Sequence, residues 1–155
     1  MYFDPNEEGI THINIYSKAQ SPLGRYLSNF YRMPIKISLG SFMSVEGLIY
    51  YLGSFDESLR TLSGATAKAT GKILDRNIRL PEDIFKKFII EAMFYKVETC
   101  NELKSLLINC DLPLTHYYTF GNKKLEVKGW DWQIEQWNKI RKNLKDTYGR
   151  QVTNP

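Results

Sequence analysis

The sequence predicts a chain that is mostly helical and carries a few short β-strands. Three stretches, at about residues 45–52, 82–97 and 130–146, have apolar residues at helical spacing. Two other stretches, at residues 11–17 and 33–39, alternate apolar with polar residues, as half-buried strands do. The combination predicts a helical domain that includes a small sheet.

The composition is that of an ordinary globular protein. The chain has 155 residues, of which 43% are hydrophobic and 25% are charged, so we expect one domain over residues 1–155 with its core at about 11–146. The net charge of +4 permits an anionic partner but does not require one, because the basic residues are spread along the chain. The aromatic content of 14% either fills the core or lines a cleft for planar ligands.

Cysteine and histidine usage predicts no metal site. The two cysteines are ten residues apart in one expected helical region, and with only two histidines they do not make a closed zinc site. Free thiols fit a reducing cytoplasm, so we expect a cytoplasmic protein. The N-terminal residues lack a signal-peptide pattern and no window is apolar enough to span a membrane, so we expect no membrane association.

The remaining segments are assigned from turn residues and shorter periodic runs. Residues 18–26 are predicted to form a loop, because they contain Ser-Pro-Leu-Gly. Short helices are predicted at residues 56–62, 65–74 and 101–107. Residues 114–124 hold three aromatic side chains and a histidine beside a Gly-Asn turn, and they form either an ordinary core strand or part of a ligand site.

Glu46 is a lone carboxylate at the start of an otherwise apolar helix. Ser44 predicts the N-cap, which puts Glu46 in the first turn, where the helix dipole favours an ionised carboxylate. The apolar face of this helix is expected to consist of Val45, Leu48, Ile49 and Leu52. Glu46 is then either a surface residue matched to the dipole or the acid of a functional site.

Short motifs follow one another along the chain in a defined order. They are Tyr16-Ser17, Ser28-Asn29-Phe30, Pro34 to Ile37, Ser44-Val45-Glu46, the small-residue helix from Ala65 to Lys72, His116-Tyr117-Tyr118, the Gly121 turn, and the Trp-rich helix that ends Ile140-Arg141. In this order they resemble the NADAR superfamily, the YbiA-like N-glycosidases, and the later motifs resemble a phage-like branch of it. The resemblance covers about residues 11–144.

The sequence also departs from the pattern of that family. The histidine that usually follows the helix glutamate is Gly47 here, and the aromatic residue after it is Leu48. A Trp-Gly pair near the C-terminal loop is represented only by Tyr118-Thr119, and Lys72 stands where arginine is common. The acidic residue expected before that loop is replaced, if at all, by Asp131 or Glu126.

The resemblance implies an α+β fold, mostly helical with a small sheet, and a hydrolase that needs neither metal nor cofactor. The bond cleaved is an N-glycosidic bond, and the implied substrate is ADP-ribosylated guanine, either as a nucleoside or within a nucleic acid. An alternative substrate class is the reactive intermediates of riboflavin synthesis. A third alternative is a module that binds ADP-ribose or nucleic acid without cleaving it.

Two catalytic roles follow from this chemistry. Cleavage develops positive charge on the ribose, and an ionised Glu46 would stabilise that charge and orient the attacking water. The leaving base departs faster when it is protonated, and His116, Lys72 or a tyrosine hydroxyl is the expected proton donor.

Substrate binding is expected from residues of the same motifs. Tyr31, Tyr117 or Tyr118 would stack on a base, and Asn29 would bind a ribose hydroxyl or simply close a turn. The pyrophosphate would be bound by Arg25, by Lys18 or by backbone N–H groups of residues 17–29. The expected binding set is completed by Ser17, Ser28, Phe30, Lys72, Gly121 and Asp131.

Overall fold

The structure is a computed structural model that describes residues 2–149. It confirms a mostly helical α+β fold with small sheets. The chain divides into two compact units: a terminal unit, made of the described residues up to Ser28 and from Cys100 onward, and a central unit, Asn29–Thr99. One domain over residues 1–155 stays a prediction. The described part of the chain contains no helix with the length and apolar character needed to cross a membrane.

The elements have the following bounds. The helices are α1 (Pro22–Leu27), α2 (Val45–Tyr51), α3 (Gly64–Leu74), α4 (Glu82–Thr99), α5 (Asn101–Ile108) and α6 (Asp131–Leu144). The strands are β1 (Ile13–Asn14), β2 (Ile35–Ile37), β3 (Gly40–Phe42), β4 (Leu114–Thr115), β5 (Tyr117–Phe120) and β6 (Lys123–Glu126). Single 3-10 turns occur at Pro5–Glu7 and Glu57–Thr61, and a π-helical turn, Lys145–Gly149, continues α6.

The terminal unit combines a parallel strand pair, a β-hairpin and three helices. Strand β1 pairs in parallel with β4, and β5 pairs with β6 across a two-residue turn. Helix α5 packs against both α1 and α6. The large buried side chains of this unit include Leu23, Leu27, Leu103, Leu107, Tyr117, Trp137 and Ile140. Burial of these apolar groups is the main source of the stability of the unit.

Three sequence predictions of secondary structure are corrected. The segment 18–26 is not all loop, because Ser21 accepts a hydrogen bond from the N–H of Gly24 at 3.1 Å and Pro22 opens α1. The strand predicted at 11–17 is reduced to the two residues of β1, because β4 offers only two partners. The helix predicted at 56–62 is the single 3-10 turn Glu57–Thr61.

A buried carboxylate that the sequence did not single out organises the N-terminal part of the terminal unit. Glu8 is 6% exposed. Its oxygens accept hydrogen bonds from the N–H of Asn14 at 3.1 Å and from the N–H and hydroxyl of Ser21 at 2.7 and 2.6 Å. A carboxylate bonded to three donors fixes the course of the chain between those residues.

The central unit places the β2–β3 hairpin, which is antiparallel, beside helices α2 and α4. Arg60 connects the hairpin to α2, since its guanidinium lies 4.6 Å from the ring centres of both Phe42 and Tyr51. It also donates a hydrogen bond to the Tyr51 hydroxyl at 3.1 Å. A cation between two aromatic rings holds both elements in place. Strand β3 was not predicted from the sequence.

Helices α2 and α3 pack closely because Gly71 has no side chain. A Cβ built on Gly71 would lie 2.2 Å from Cγ of Tyr50 and 2.4 Å from its Cβ. Real Cβ atoms do not approach other carbon atoms so closely. The close packing of the small-residue helix α3 on α2 therefore depends on this glycine.

We expect Gly71→Ala to destabilise the protein by about 1–3 kcal/mol, the typical cost of overpacking. In a Tyr50→Gly background, which removes the Tyr50 Cβ together with the ring, the sign is expected to reverse, because the clash is gone and alanine favours a helix over glycine by about 1 kcal/mol. Urea unfolding of the wild type, both single variants and the double variant measures the coupling. A Gly71→Ala cost that persists without the whole Tyr50 side chain would show that the clash is not its cause.

Candidate functional site

Glu46 lies in the first turn of α2, as the sequence predicts, and is 9% exposed. Ser44 caps the helix, accepting a hydrogen bond from the N–H of Gly47 at 3.0 Å, while its hydroxyl donates to the carbonyl of Leu62 at 2.8 Å. The N–H of Glu46 itself donates to the carbonyl of Asn29 at 2.9 Å. The backbone around Glu46 is therefore held by the Ser44 cap and by the hydrogen bond to Asn29.

The environment of Glu46 raises the pKa of its carboxyl group to about 7. Burial is the main cause, because an ion loses hydration inside the protein, and the charges of Lys68 and Lys72 oppose it. The sequence predicts that the helix dipole favours the ionised carboxylate, and burial acts against that ionised form. Close to neutral pH the group exists in both forms and can accept or release a proton.

The two lysines beside Glu46 lie four residues apart on α3, so they share one face of that helix. Lys72 was expected from the family resemblance, whereas Lys68 was not. The i, i+4 spacing in a predicted helix was the signal that could have identified Lys68, because residues at this spacing lie next to each other on one helix face. Proton donation by Lys72 stays a prediction.

Gly47, which stands where the superfamily that the sequence resembles usually has histidine, packs directly on backbone. A Cβ at this position would lie 2.6 Å from the carbonyl oxygen of Leu59 and 3.1 Å from that of Leu62. These carbonyls belong to the turn that supports α2, so they cannot move as a flexible side chain would. This packing gives a physical reason for glycine at position 47.

The Ser-Asn-Phe motif leads into the central unit. Asn29, Phe30 and Tyr31 are half-buried and precede β2. The structure places Asn29 beside Glu46, because the backbone carbonyl oxygen of Asn29 accepts the hydrogen bond from the N–H of Glu46. Contact of the Asn29 amide with a ribose, and stacking by Tyr31, stay predictions.

The other predicted site residues belong to the terminal unit. His116 is half-buried, and its Nδ1 lies 2.7 Å from the carbonyl oxygen of Ile15. Because a carbonyl only accepts, Nδ1 carries the proton and Nε2 has a free lone pair. Burial lowers the pKa of His116, against the opposing effects of that carbonyl and of Asp131. The histidine is thus mainly neutral at pH 7, which suits a hydrogen-bond acceptor better than an acid.

The two adjacent tyrosines of this unit differ sharply. Tyr118 is half-buried, and its ring centre lies 5.7 Å from that of His116 and 5.5 Å from that of Tyr16. Tyr117 is 1% exposed, and its hydroxyl lies 2.6 Å from Nε2 of His12. Burial raises the pKa of Tyr117 to about 12. Tyr117 therefore has no open ring face for a base, whereas stacking by Tyr118 stays a prediction.

Arg25 already has structural hydrogen bonds. Its Nη1 donates to the carbonyl oxygens of Ala19 and Gln20 at 2.8 and 2.7 Å, which closes the loop before α1. Lys18, exposed at this loop, lines a small cavity of about 170 Å³ together with Tyr16 and other residues of the terminal unit. Pyrophosphate binding by this loop stays a prediction.

The remaining predicted binding residues occupy defined positions. Ser17 is half-buried, Ser28 is the buried C-cap of α1, Gly121 forms the β5–β6 turn with a φ of 57°, and Asp131 is the exposed first residue of α6. A binding role for each of them stays a prediction.

A larger cavity, of about 420 Å³, lies within the central unit. It is walled mainly by apolar groups from the end of α2 and from residues 75–85, including the rings of Tyr50 and Phe85. Glu46 does not line it. The cavity offers no acid or nucleophile beyond Asp75 and Glu82, and Arg79 pairs with Asp75. We therefore base the candidate site on Glu46 and not on cavity size.

The side chains that could bind a metal ion are dispersed over the described chain. Among residues 2–149, no three His, Cys, Asp or Glu side chains come together as metal ligands would. Cys100 and Cys110 are free and half-buried. The reaction without a metal ion stays a prediction.

Comparison with known proteins identifies the fold. The chain is similar to the NMR structure of the Escherichia coli protein YbiA, with 21% sequence identity, a TM-score of 0.62 and 94% of each chain covered. The predicted YbiA-like fold is thereby confirmed. No protein-family model and no curated protein sequence matches the chain.

Proposed function

We propose that this protein is an N-glycosidase that removes ADP-ribose from guanine bases, with Glu46 as the acid–base group. The observation that carries the proposal is a buried carboxyl group with a pKa of about 7, fixed in a helix turn beside two lysines. A catalytic base works best when its pKa lies near the operating pH. The YbiA-like fold and the resemblance of the motifs to the NADAR superfamily support the same reaction class.

The reaction can be written with Glu46 in its ionised form. The bond between C1′ of the ribose and the guanine nitrogen breaks, and its electron pair leaves with the base. The carboxylate stabilises the positive charge on the sugar and takes a proton from the water that attacks C1′. A second group supplies a proton to the base. His116, Lys72 and a tyrosine hydroxyl are its candidates, and the neutral state of His116 makes Lys72 the better one.

The charges around Glu46 also agree with an anionic substrate. Lys68 and Lys72 are close enough to affect the ionisation of Glu46, and neither has an ion-pair partner within residues 2–149. A diphosphate near these lysines would gain favourable charge interactions in a partly desolvated setting. ADP-ribose carries such a diphosphate, whereas an uncharged sugar would make no charge interaction with either lysine.

The test is incubation with ADP-ribosylated guanosine, free and within an oligonucleotide, followed by mass analysis of the products. We expect free ADP-ribose together with unmodified guanosine or oligonucleotide. Binding without release would instead indicate a non-catalytic module. Cleavage confined to riboflavin-pathway intermediates would move the substrate to the alternative class.

A further inference from the structure

The β5–β6 hairpin presents one exposed, mainly aromatic and aliphatic face. Residues directly opposite each other in an antiparallel pair share a face, and the pairs here are Tyr118 with Leu125 and Phe120 with Lys123. Phe120 is 63% exposed and Leu125 is 49% exposed. Phe120, Leu125 and Tyr118 share this face, and a contiguous apolar patch on the surface is a candidate interaction site.

The two faces of the hairpin have different roles. On the other face, Tyr117 is buried and Lys124 lies 4.7 Å from its ring centre. Lys124 also contacts Glu126 at 3.0 Å and the carbonyl of Phe3 at 3.1 Å. That face therefore packs on the terminal unit, and the face with Phe120 is the outer one.

The charged residue that the strand pairing places on the outer face is the cation Lys123. Lys123 is exposed beside Phe120, and Lys128 is exposed just beyond the end of β6. Neither lysine has an ion-pair partner in the part of the chain that the structure describes. The carboxylate of the hairpin, Glu126, lies on the opposite face and is paired with Lys124.

We infer that this outer face binds the single-stranded nucleic acid that carries the modified guanine, with a base stacked on Phe120 and a phosphate on Lys123. The inference rests on the proposed function and specifies its substrate as a polymer. Aromatic side chains that stack on unpaired bases, combined with cations for the backbone, are the usual elements of such surfaces. The face begins at Tyr118, whose ring contacts His116, so it runs from a predicted site residue to the tip of the hairpin.

Binding of a short fluorescein-labelled oligothymidylate, followed by anisotropy over a range of salt concentrations, tests the surface directly. Loss of one stacked base is expected to weaken binding about tenfold in Phe120→Ala. Lys123→Ala is expected to lower the log–log salt slope by about 0.7, the value for one phosphate contact with a single strand. The matched controls are Phe94→Ala and Lys87→Ala on α4, which should bind as the wild type does.

The outcomes separate this inference from the proposed function. In hydrolysis assays, Phe120→Ala should lower the ratio of oligonucleotide to nucleoside cleavage. If the wild type cleaves neither substrate, the proposed function fails, and oligothymidylate binding still decides the role of the hairpin. Unchanged binding by Phe120→Ala would overturn the inference. So would a wild-type dimer that Phe120→Ala converts to a monomer, because the face would then bind a second copy of the chain.

Discussion

Glu46→Gln is expected to lower the rate of glycosidic hydrolysis by about 10²–10³-fold, the usual effect of removing one group that stabilises transition-state charge. Glutamine has nearly the same shape as protonated glutamic acid but cannot take a proton from water. The hydrogen bonds that fix this turn come from the backbone and from Ser44, so the fold should be retained. Steady-state kinetics on the ADP-ribosylated substrate gives the rate, and direct binding should show an unchanged affinity.

The pH dependence distinguishes a catalytic carboxylate from a structural one. If the ionised form reacts, kcat should rise with pH through a midpoint near pH 7, in accordance with the raised pKa of Glu46. Glu98→Gln, at an exposed position on α4, is the matched control and should leave both rate and midpoint unchanged. Full activity in Glu46→Gln would exclude Glu46 from catalysis.

Glu46→Gln is also expected to stabilise the protein at alkaline pH by about 3 kcal/mol. This amount follows from the difference between the folded and unfolded pKa values of Glu46. The folded pKa of about 7 is higher than the model-compound value of 4.5, so the folded state holds more protons between these values. The free energy of unfolding of the wild type should therefore fall as pH rises through this window. Glutamine does not titrate, so Glu46→Gln should lack this part of the slope.

Chemical denaturation of both proteins across this pH range measures the effect. The free energies of unfolding of wild type and Glu46→Gln should be similar below pH 4.5. Between pH 4.5 and about pH 7 that of the wild type should fall below that of the variant. Removing one opposing cation, as in Lys68→Met, should raise the pKa of Glu46 further and shift the divergence to higher pH. Parallel stability curves for wild type and Glu46→Gln would show that Glu46 is not desolvated in solution.

Local sequence signals predicted most of the helices and the place of Glu46. The Ser44 cap and the apolar spacing after it located α2, because both depend on residues within one or two turns. Helix α1 was missed because Pro22 and Gly24 suggest a loop, although proline is well tolerated in the first turn and Ser21 supplies the cap. Strand β3 has only three residues and no alternation to detect.

The ionisation of Glu46 and the accessibility of the site tyrosines depend on burial, which cannot be read from the sequence alone. The dipole of the first turn indicated an ionised Glu46, but the desolvation that raises its pKa arises from tertiary packing. Likewise, Tyr117 and Tyr118 look equivalent in the sequence. They differ because alternate residues of a strand point to opposite faces, and only one of those faces is covered.

The packing of Gly47 limits how this chain can be redesigned. Placing histidine at position 47, as in the superfamily that the sequence resembles, would push a new side chain into the carbonyl oxygens of Leu59 and Leu62, which are part of the turn that supports α2. A single exchange therefore cannot interconvert the two arrangements, and the 59–62 turn would have to be rebuilt at the same time. Any engineered variant with histidine at position 47 must therefore begin with changes in the 59–62 turn and not with the substitution of Gly47 itself.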